Sequence, residues 1–306
     1  MSASLRFQGC YTAIVTPFTA DGSCVDRARL EENVRLQAAG GVAGIVPCGT
    51  TGESPTLSEE EHALVVETAV RVGRPLGLQV VAGAGSNSTV HAVHLQKLAL
   101  QLGADAGLQV TPYYNKPSQE GIYRHFMAVA DSCDLPVMLY NIPGRAGVAI
   151  APETVERLSR HPNVRAIKEA TGSMDSASEI RRLCGITVLS GDDSLTPSFA
   201  AVGAAGVVSV VGNLVPGRVA RLCRLLAGND FHAALDEHME LLPLSRGLLS
   251  LDVNPVPVKC ALAALGLDTG AVRLPLAPPS ASAAARIREL VAAIAPAVPA
   301  HAGAAR

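Results

Sequence analysis

The sequence predicts a (β/α)8 barrel with a C-terminal helical appendage, and three observations carry that prediction. Eight short apolar, β-branched runs recur along the chain. Their starts are separated by roughly 20 to 33 residues, the size of one strand–helix unit. After the eighth run only helical periodicity continues. An open doubly wound sheet would carry a glycine fingerprint behind its first strand, whereas here the first strand runs into Thr16-Pro17-Phe18.

The strands are read at residues 11–15, 44–47, 76–82, 108–111, 137–140, 164–168, 186–189 and 207–211. Amphipathic stretches at 26–39, 58–72, 88–102, 119–132, 152–160 and 214–226 supply intervening helices. Ser58 with Glu61 forms a capping box, Pro152 is a first-turn proline, and Gly40 and Gly103 are C-terminal cap residues. Residues 231–250, 257–265 and 280–294 read as three further helices. The resulting division is a barrel over 1–228 carrying the active site, a helical region over 229–295, and a flexible Ala/Pro-rich tail over 296–306.

The 306 residues are 48% hydrophobic, enough to bury a large core and to exclude intrinsic disorder. With 25 basic against 27 acidic side chains, 3% aromatics and no Trp, there is no electrostatic footprint or stacking platform for nucleic acid. Seven scattered cysteines without a C-x-x-C pair fit reduced thiols in a cytoplasmic enzyme. No signal peptide or apolar run of membrane-spanning length is found, so no membrane partner is expected.

Chemistry in such barrels collects at the C-terminal ends of the strands. There stand Gly49-Thr50-Thr51-Gly52-Glu53-Ser54, Thr111-Pro112-Tyr113-Tyr114-Asn115, Tyr140-Asn141-Ile142-Pro143-Gly144-Arg145, Lys168 and Ser190-Gly191-Asp192-Asp193. Strand alternation sets Val164, Ala166 and Lys168 on one face. If that face is the barrel interior, the amine is desolvated and becomes a nucleophile for a carbonyl; otherwise it is a snorkelling lysine or a partner of Glu169. The hydroxyls of Tyr113, Tyr114 and Tyr140 could line one pocket and relay protons, or Tyr113 and Tyr123 could pack on the rim with wet hydroxyls. The Gly49-Thr50-Thr51-Gly52 turn suits a carboxylate or is an ordinary strand-to-helix turn. Arg145 is a carboxylate clamp on a stiffened turn, or a surface arginine.

Two weaker patterns are set aside. Gly83-Ala84-Gly85-Ser86-Asn87-Ser88 lacks the third glycine of a dinucleotide loop and reads as a helix-capping turn. Asp192-Asp193 and the pair His91 and His94 end different units, so no metal site is expected.

Together, GTTGES (49–54), TPYYNKPSQEG (111–121), YNIPGRAG (140–147), IKEATG (167–172), SGDD (190–193) and NPVPVK (254–259) closely resemble the dihydrodipicolinate synthase family, also called 4-hydroxy-tetrahydrodipicolinate synthases. The resemblance covers about residues 8 to 280. The wider group of pyruvate-dependent class I aldolases includes N-acetylneuraminate lyases, which differ around the threonine turn; the paired threonines and Arg145 favour the synthases.

What the resemblance implies is condensation of pyruvate with L-aspartate 4-semialdehyde in lysine and diaminopimelate biosynthesis, without a cofactor. Lys168 would form the imine and Tyr140 would serve as its acid/base. Thr50, Tyr140 and Tyr114 match a proton-relay triad, with Tyr114 reaching across a dimer interface, so a homodimer, usually paired into a homotetramer, is expected. Thr51 would hold the pyruvate carboxylate and Arg145 that of the semialdehyde, with Gly191 and Val208 lining the pyruvate pocket. At the family's lysine-feedback site Ser54, His62, Asn87 and Tyr113 are kept, whereas Glu59 replaces a histidine and His91 an acidic residue. Loss of that carboxylate predicts weak or absent feedback. Ala146, where threonine is frequent, removes no catalytic group. The rival readings are another pyruvate-dependent aldolase acting on a sugar acid or keto acid, and a noncatalytic sensor on the same barrel.

Overall fold

A computed structural model describes residues 5–294, and the expected tail over 296–306 lies outside the described residues. Eight parallel strands close into a barrel in chain order: β1 (Gly9–Ala13), β2 (Gly44–Val46), β3 (Gln79–Gly83), β4 (Ala106–Val110), β5 (Val137–Asn141), β6 (Val164–Glu169), β7 (Thr187–Ser190) and β8 (Gly206–Ser209). The cycle is sealed where Tyr11 of β1 pairs with Val208 of β8. The helices are α1 (Arg27–Ala39), α2 (Glu59–Gly73), α3 (Thr89–Gln101), α4 (Gln119–Ala130), α5 (Pro143–Ala146), α6 (Pro152–Ser159), α7 (Met174–Leu183), α8 (Thr196–Ala201), α9 (Pro216–Ala227), α10 (Phe231–Ser250), α11 (Val256–Ala264) and α12 (Ala281–Ile294).

Local chemistry accounts for most of these boundaries. The Ser58 hydroxyl accepts from Glu61 N while the Glu61 carboxylate accepts from Ser58 N, closing the expected capping box. Ser88 caps α3 by accepting from His91 N, so the Gly83–Ser88 stretch is indeed the run-in to a helix. Several strand boundaries differ from the sequence reading, β1 spanning Gly9–Ala13 rather than 11–15 and β4 Ala106–Val110 rather than 108–111. The third strand begins at Gln79 rather than at residue 76, because Arg74–Leu76 form a 3-10 turn ended by Gly77 at φ 82°. The apolar run at 207–211 leaves the barrel after Ser209, and Val211–Asn213 turn in 3-10 geometry. Gly40 is the C-cap of α1, as expected, and the left-handed residue behind it is Gly41, at φ 71°. Gly40 is also required for closeness: a Cβ there would lie 2.6 Å from the Pro216 Cβ of α9.

Alternation along the strands sorts side chains into two layers. Tyr11, Ala13, Val46, Val81, Leu108, Met138, Ala166, Leu189 and Val208 pack together inside the barrel. Ile45, Val80, Leu139, Ile167, Val188 and Val207 face the helices. The C-terminal helices are part of that outer core: Leu241, Leu244 and Leu248 of α10, Val258 and Leu262 of α11 and Ile287 of α12 join one apolar cluster with α1, α2 and α9. This seats the segment between α10 and α11 beside the C-terminal mouth of the barrel. All seven cysteines are free thiols.

Candidate active site

The interior face of β6 carries the central group. Ala166 belongs to the barrel-interior cluster, and Lys168, two residues on, faces the same way with 6% of its surface accessible. Register places Lys168 between Tyr140 of β5 and Leu189 of β7. Its Nζ lies 4.1 Å from the centroid of the Tyr140 ring. Glu169 points outward and is not its partner: that carboxylate accepts from Asn141 Nδ2 (3.0 Å) and Thr171 N (2.9 Å), and burial pushes its pKa up. Among the described residues Lys168 makes no ion pair. The strand-end alternatives, a snorkelling amine or a pair with Glu169, are both set aside by this geometry.

A cavity of about 230 Å³ opens at the same end of the barrel. Thr50, Ser54, Tyr113, Tyr140 and Arg145 contribute its polar lining, and Leu108, Val110 and Ile142 its apolar wall. Gly83 and Gly85 line it too, and neither tolerates a side chain: a Cβ on Gly83 would lie 1.9 Å from Cys48 O. Lys168 is not itself one of the residues lining this cavity; its amine lies over the ring of Tyr140, which is.

The threonine turn is folded on itself. Gly52 N and Ser54 N donate to Gly49 O, and Glu53 N donates to Thr50 O. Three of its amides are thereby used, so the turn presents Thr50 and Thr51 rather than a nest of free N–H groups. Glu53 closes it in the left-handed region, at φ 54°, a conformation that persists only when held from outside. Lys259 Nζ holds it, 2.6 Å from Glu53 Oε1, and Arg273 N donates to Glu53 Oε2 at 3.0 Å. Burial pulls the Lys259 pKa down, while Asp268 and Glu53 pull it back up.

Thr51 is buried beside the cavity, where its hydroxyl accepts from Asn254 Nδ2 at 3.0 Å. The carbonyl of the same Asn254 accepts from Arg145 Nη2 at 3.2 Å. Arg145 therefore projects from α5 over the cavity, tethered to the segment between α10 and α11. Gly191 fits against β6 by donating its N–H to Glu169 O, and Val208 stands in the interior cluster. Asn254 is the site residue that sequence reasoning missed. It lay in the quoted NPVPVK stretch, but no local pattern told where its side chain goes.

The three tyrosines part company. Tyr113 and Tyr140 line the cavity, whereas Tyr114 turns away from it at φ 72° with 88% of its surface exposed. Asn115 pins the following loop by donating from Nδ2 to Asn87 O. Tyr123 lies on the outer surface under the Arg157 guanidinium.

Around the cavity rim, His62 is buried and its Nε2 pairs with Gly83 O at 2.7 Å; burial pulls its pKa down. Glu59 is exposed and held by His94 Nε2 at 2.8 Å, and His91 stacks on His94 with ring centroids 6.1 Å apart. Ser54 and Tyr113 line the cavity itself. Among the described residues no group of three or more His, Cys, Asp or Glu side chains is placed to hold a metal ion, and Asp193 instead accepts from Val210 N and Val211 N.

Residues 6–294 match the model of the dihydrodipicolinate synthetase family. The chain is 51% identical over 276 residues to a 4-hydroxy-tetrahydrodipicolinate synthase of Geotalea daltonii, covering 90% of this chain and 94% of that one. Among solved structures, the 4-hydroxy-tetrahydrodipicolinate synthase of the thermoacidophilic methanotroph Methylacidiphilum fumariolicum SolV superposes with a TM-score of 0.92 at 46% identity, covering 95% of this chain and 97% of that one. The chloride-inhibited dihydrodipicolinate synthase of Acinetobacter baumannii, solved with pyruvate, gives 0.91 at 40% identity over 94% and 99% of the two chains.

Proposed function

The chain belongs to the dihydrodipicolinate synthetase family, and from that premise we propose that Lys168 is the nucleophile through which it joins pyruvate to L-aspartate 4-semialdehyde. The enzyme is a lyase of lysine and diaminopimelate biosynthesis whose product is 4-hydroxy-tetrahydrodipicolinate. The observation that carries the assignment of Lys168 is its amine, buried on the barrel interior with no ion-pair partner among the described residues and set over the ring of cavity-lining Tyr140.

The Lys168 amine adds to the pyruvate carbonyl, and the resulting carbinolamine loses water to leave an imine. The protonated imine is an electron sink, so the pyruvate methyl gives up a proton and becomes an enamine carbon. That carbon attacks the aldehyde of the semialdehyde, forming the new C–C bond, and the aldol oxygen takes up a proton. The semialdehyde's amino group then displaces Lys168 from the imine carbon, closing the ring and freeing the lysine. Tyr140 supplies and removes the protons next to the amine, in a relay with Thr50. Thr51 holds the pyruvate carboxylate and Arg145 that of the semialdehyde, each placed by the contacts described above, while Gly191 and Val208 border the pyruvate.

Tyr114 completes the relay from a neighbouring subunit. A strained, almost fully exposed tyrosine that misses its own cavity supports this reading, and with it a homodimer paired into a homotetramer. Among the described residues no helix is long and apolar enough to cross a membrane.

Borohydride reduction in the presence of pyruvate tests the assignment. The expected result is a pyruvyl adduct mapped to Lys168, together with turnover of the semialdehyde to the cyclised product. No adduct would overturn the mechanism, and an adduct without turnover would move the enzyme to another aldehyde.

A further inference from the structure

We infer that Asn254 is a positioning residue, which turns the Thr51 hydroxyl into a hydrogen-bond donor toward the carboxylate of pyruvate; the inference rests on the reading of Thr51 given above. Three observations carry it. First, Asn254 Nδ2 donates to Thr51 Oγ1 at 3.0 Å, across 203 residues of sequence. Thr51 is buried and has no other side-chain hydrogen bond among the described residues. A hydroxyl has one hydrogen and two lone pairs. With a lone pair engaged by Asn254, the hydrogen must point elsewhere, and a donor is what an incoming anion requires.

Second, the Asn254 Oδ1 is shielded from solvent without a hydrogen-bond partner, so Thr51 is the only side-chain partner of this amide among the described residues. Rotating the carboxamide would reverse the roles. Its oxygen would take the Thr51 hydrogen, and the hydroxyl would meet the carboxylate with lone pairs alone.

Third, the segment grips the threonine turn twice. Asn254 holds Thr51, and Lys259, on the first turns of α11, holds Glu53 in its left-handed conformation. The backbone carbonyl of Asn254 also anchors Arg145. That second bond belongs to the main chain, so replacing the side chain leaves it intact. The two substrate carboxylates can therefore be uncoupled by substitution.

The test is steady-state kinetics on the full-length enzyme for Asn254→Ala and Asn254→Asp, with borohydride trapping titrated against pyruvate. One neutral hydrogen bond acts equally on bound substrate and transition state, so Asn254→Ala should raise the pyruvate KM about 5- to 10-fold with kcat held within about twofold. The semialdehyde KM should stay at its original value. Asn254→Asp is isosteric, accepts the Thr51 hydrogen and adds a negative charge, and should raise the pyruvate KM further, to about 100-fold. It also keeps the proposal testable should Asn254→Ala fail to fold. An unchanged pyruvate KM, equal effects of the two variants, or a parallel rise in both KM values would each overturn the proposal, the last by showing a merely structural role. If the unsubstituted enzyme gave no adduct on Lys168, the parent reading would fall, and the proposal with it.

Discussion

Lys259 Nζ lies 2.6 Å from Glu53 Oε1, and both side chains are shut off from solvent. One residue sits on a C-terminal helix and the other at the end of the threonine turn, so the pair fastens the helical region to the strand-2 end of the barrel. The ammonium also donates to Thr16 O and rests over the Phe18 ring, 4.1 Å from its centroid. Removing one partner leaves the other charge buried without its ion pair. Lys259→Met should therefore cost about 3–5 kcal/mol in urea unfolding, whereas Lys259→Met combined with Glu53→Leu should recover much of that loss. A single variant as stable as the parent would refute the account.

Asp268 lies in the same cluster, and burial pushes its pKa up to about 6 from 3.8, against the pull of Lys259 and the Gly270 N–H. In the unfolded chain this carboxyl ionises at its ordinary, lower value. Between the two pKa values the folded state binds the extra proton, so this group makes stability fall as pH rises through that window. Above it the ionised carboxylate costs on the order of 3 kcal/mol. Asp268→Asn should then be more stable than the parent at pH 7 and nearly equal to it at pH 4. Urea unfolding at the two pH values measures the difference, and equal gains at both would contradict it.

Lys168→Met should abolish both borohydride trapping and turnover. It should leave the melting temperature unchanged or higher, because a buried polar amine with no ion-pair partner among the described residues opposes folding. Calorimetry beside the trapping assay reads both effects. A variant that traps pyruvate would exclude Lys168 as the nucleophile.

Tyr114→Phe should lower kcat about 100-fold by removing one relay proton. Mixing it with Lys168→Ala subunits places one complete site in each hybrid dimer, and should restore about a quarter of the parent activity. Mixtures no more active than their components would show that Tyr114 serves its own chain or none.

L-Lysine should inhibit weakly. The Glu59 carboxylate on this rim is already held by His94, and His91 brings no acidic group to a cationic effector. Losing a charge-assisted hydrogen bond costs about 1.5–3 kcal/mol of binding, which weakens inhibition by about 10- to 150-fold. Half-inhibition at micromolar lysine would sink this expectation.

The barrel was legible in the sequence because its signals are local. Period-two alternation put Val164, Ala166 and Lys168 on one face, and serine caps with helical periodicity marked α2 and α3. Boundaries blurred where apolar residues serve a turn: Leu76 ends a 3-10 turn before a left-handed Gly77, and Val211 starts one after β8. The residue types of the site were likewise legible, since the strand ends follow from the strands. What only the tertiary structure decided is which of them meet. Tyr113 and Tyr114 are neighbours in sequence, yet a positive φ sends the second out of the cavity that the first lines. Glu53 and Lys259 are separated by 206 residues and Thr51 and Asn254 by 203. No periodicity encodes such pairings, because they arise only when the closed barrel and the helices packed against it bring the two segments to one place.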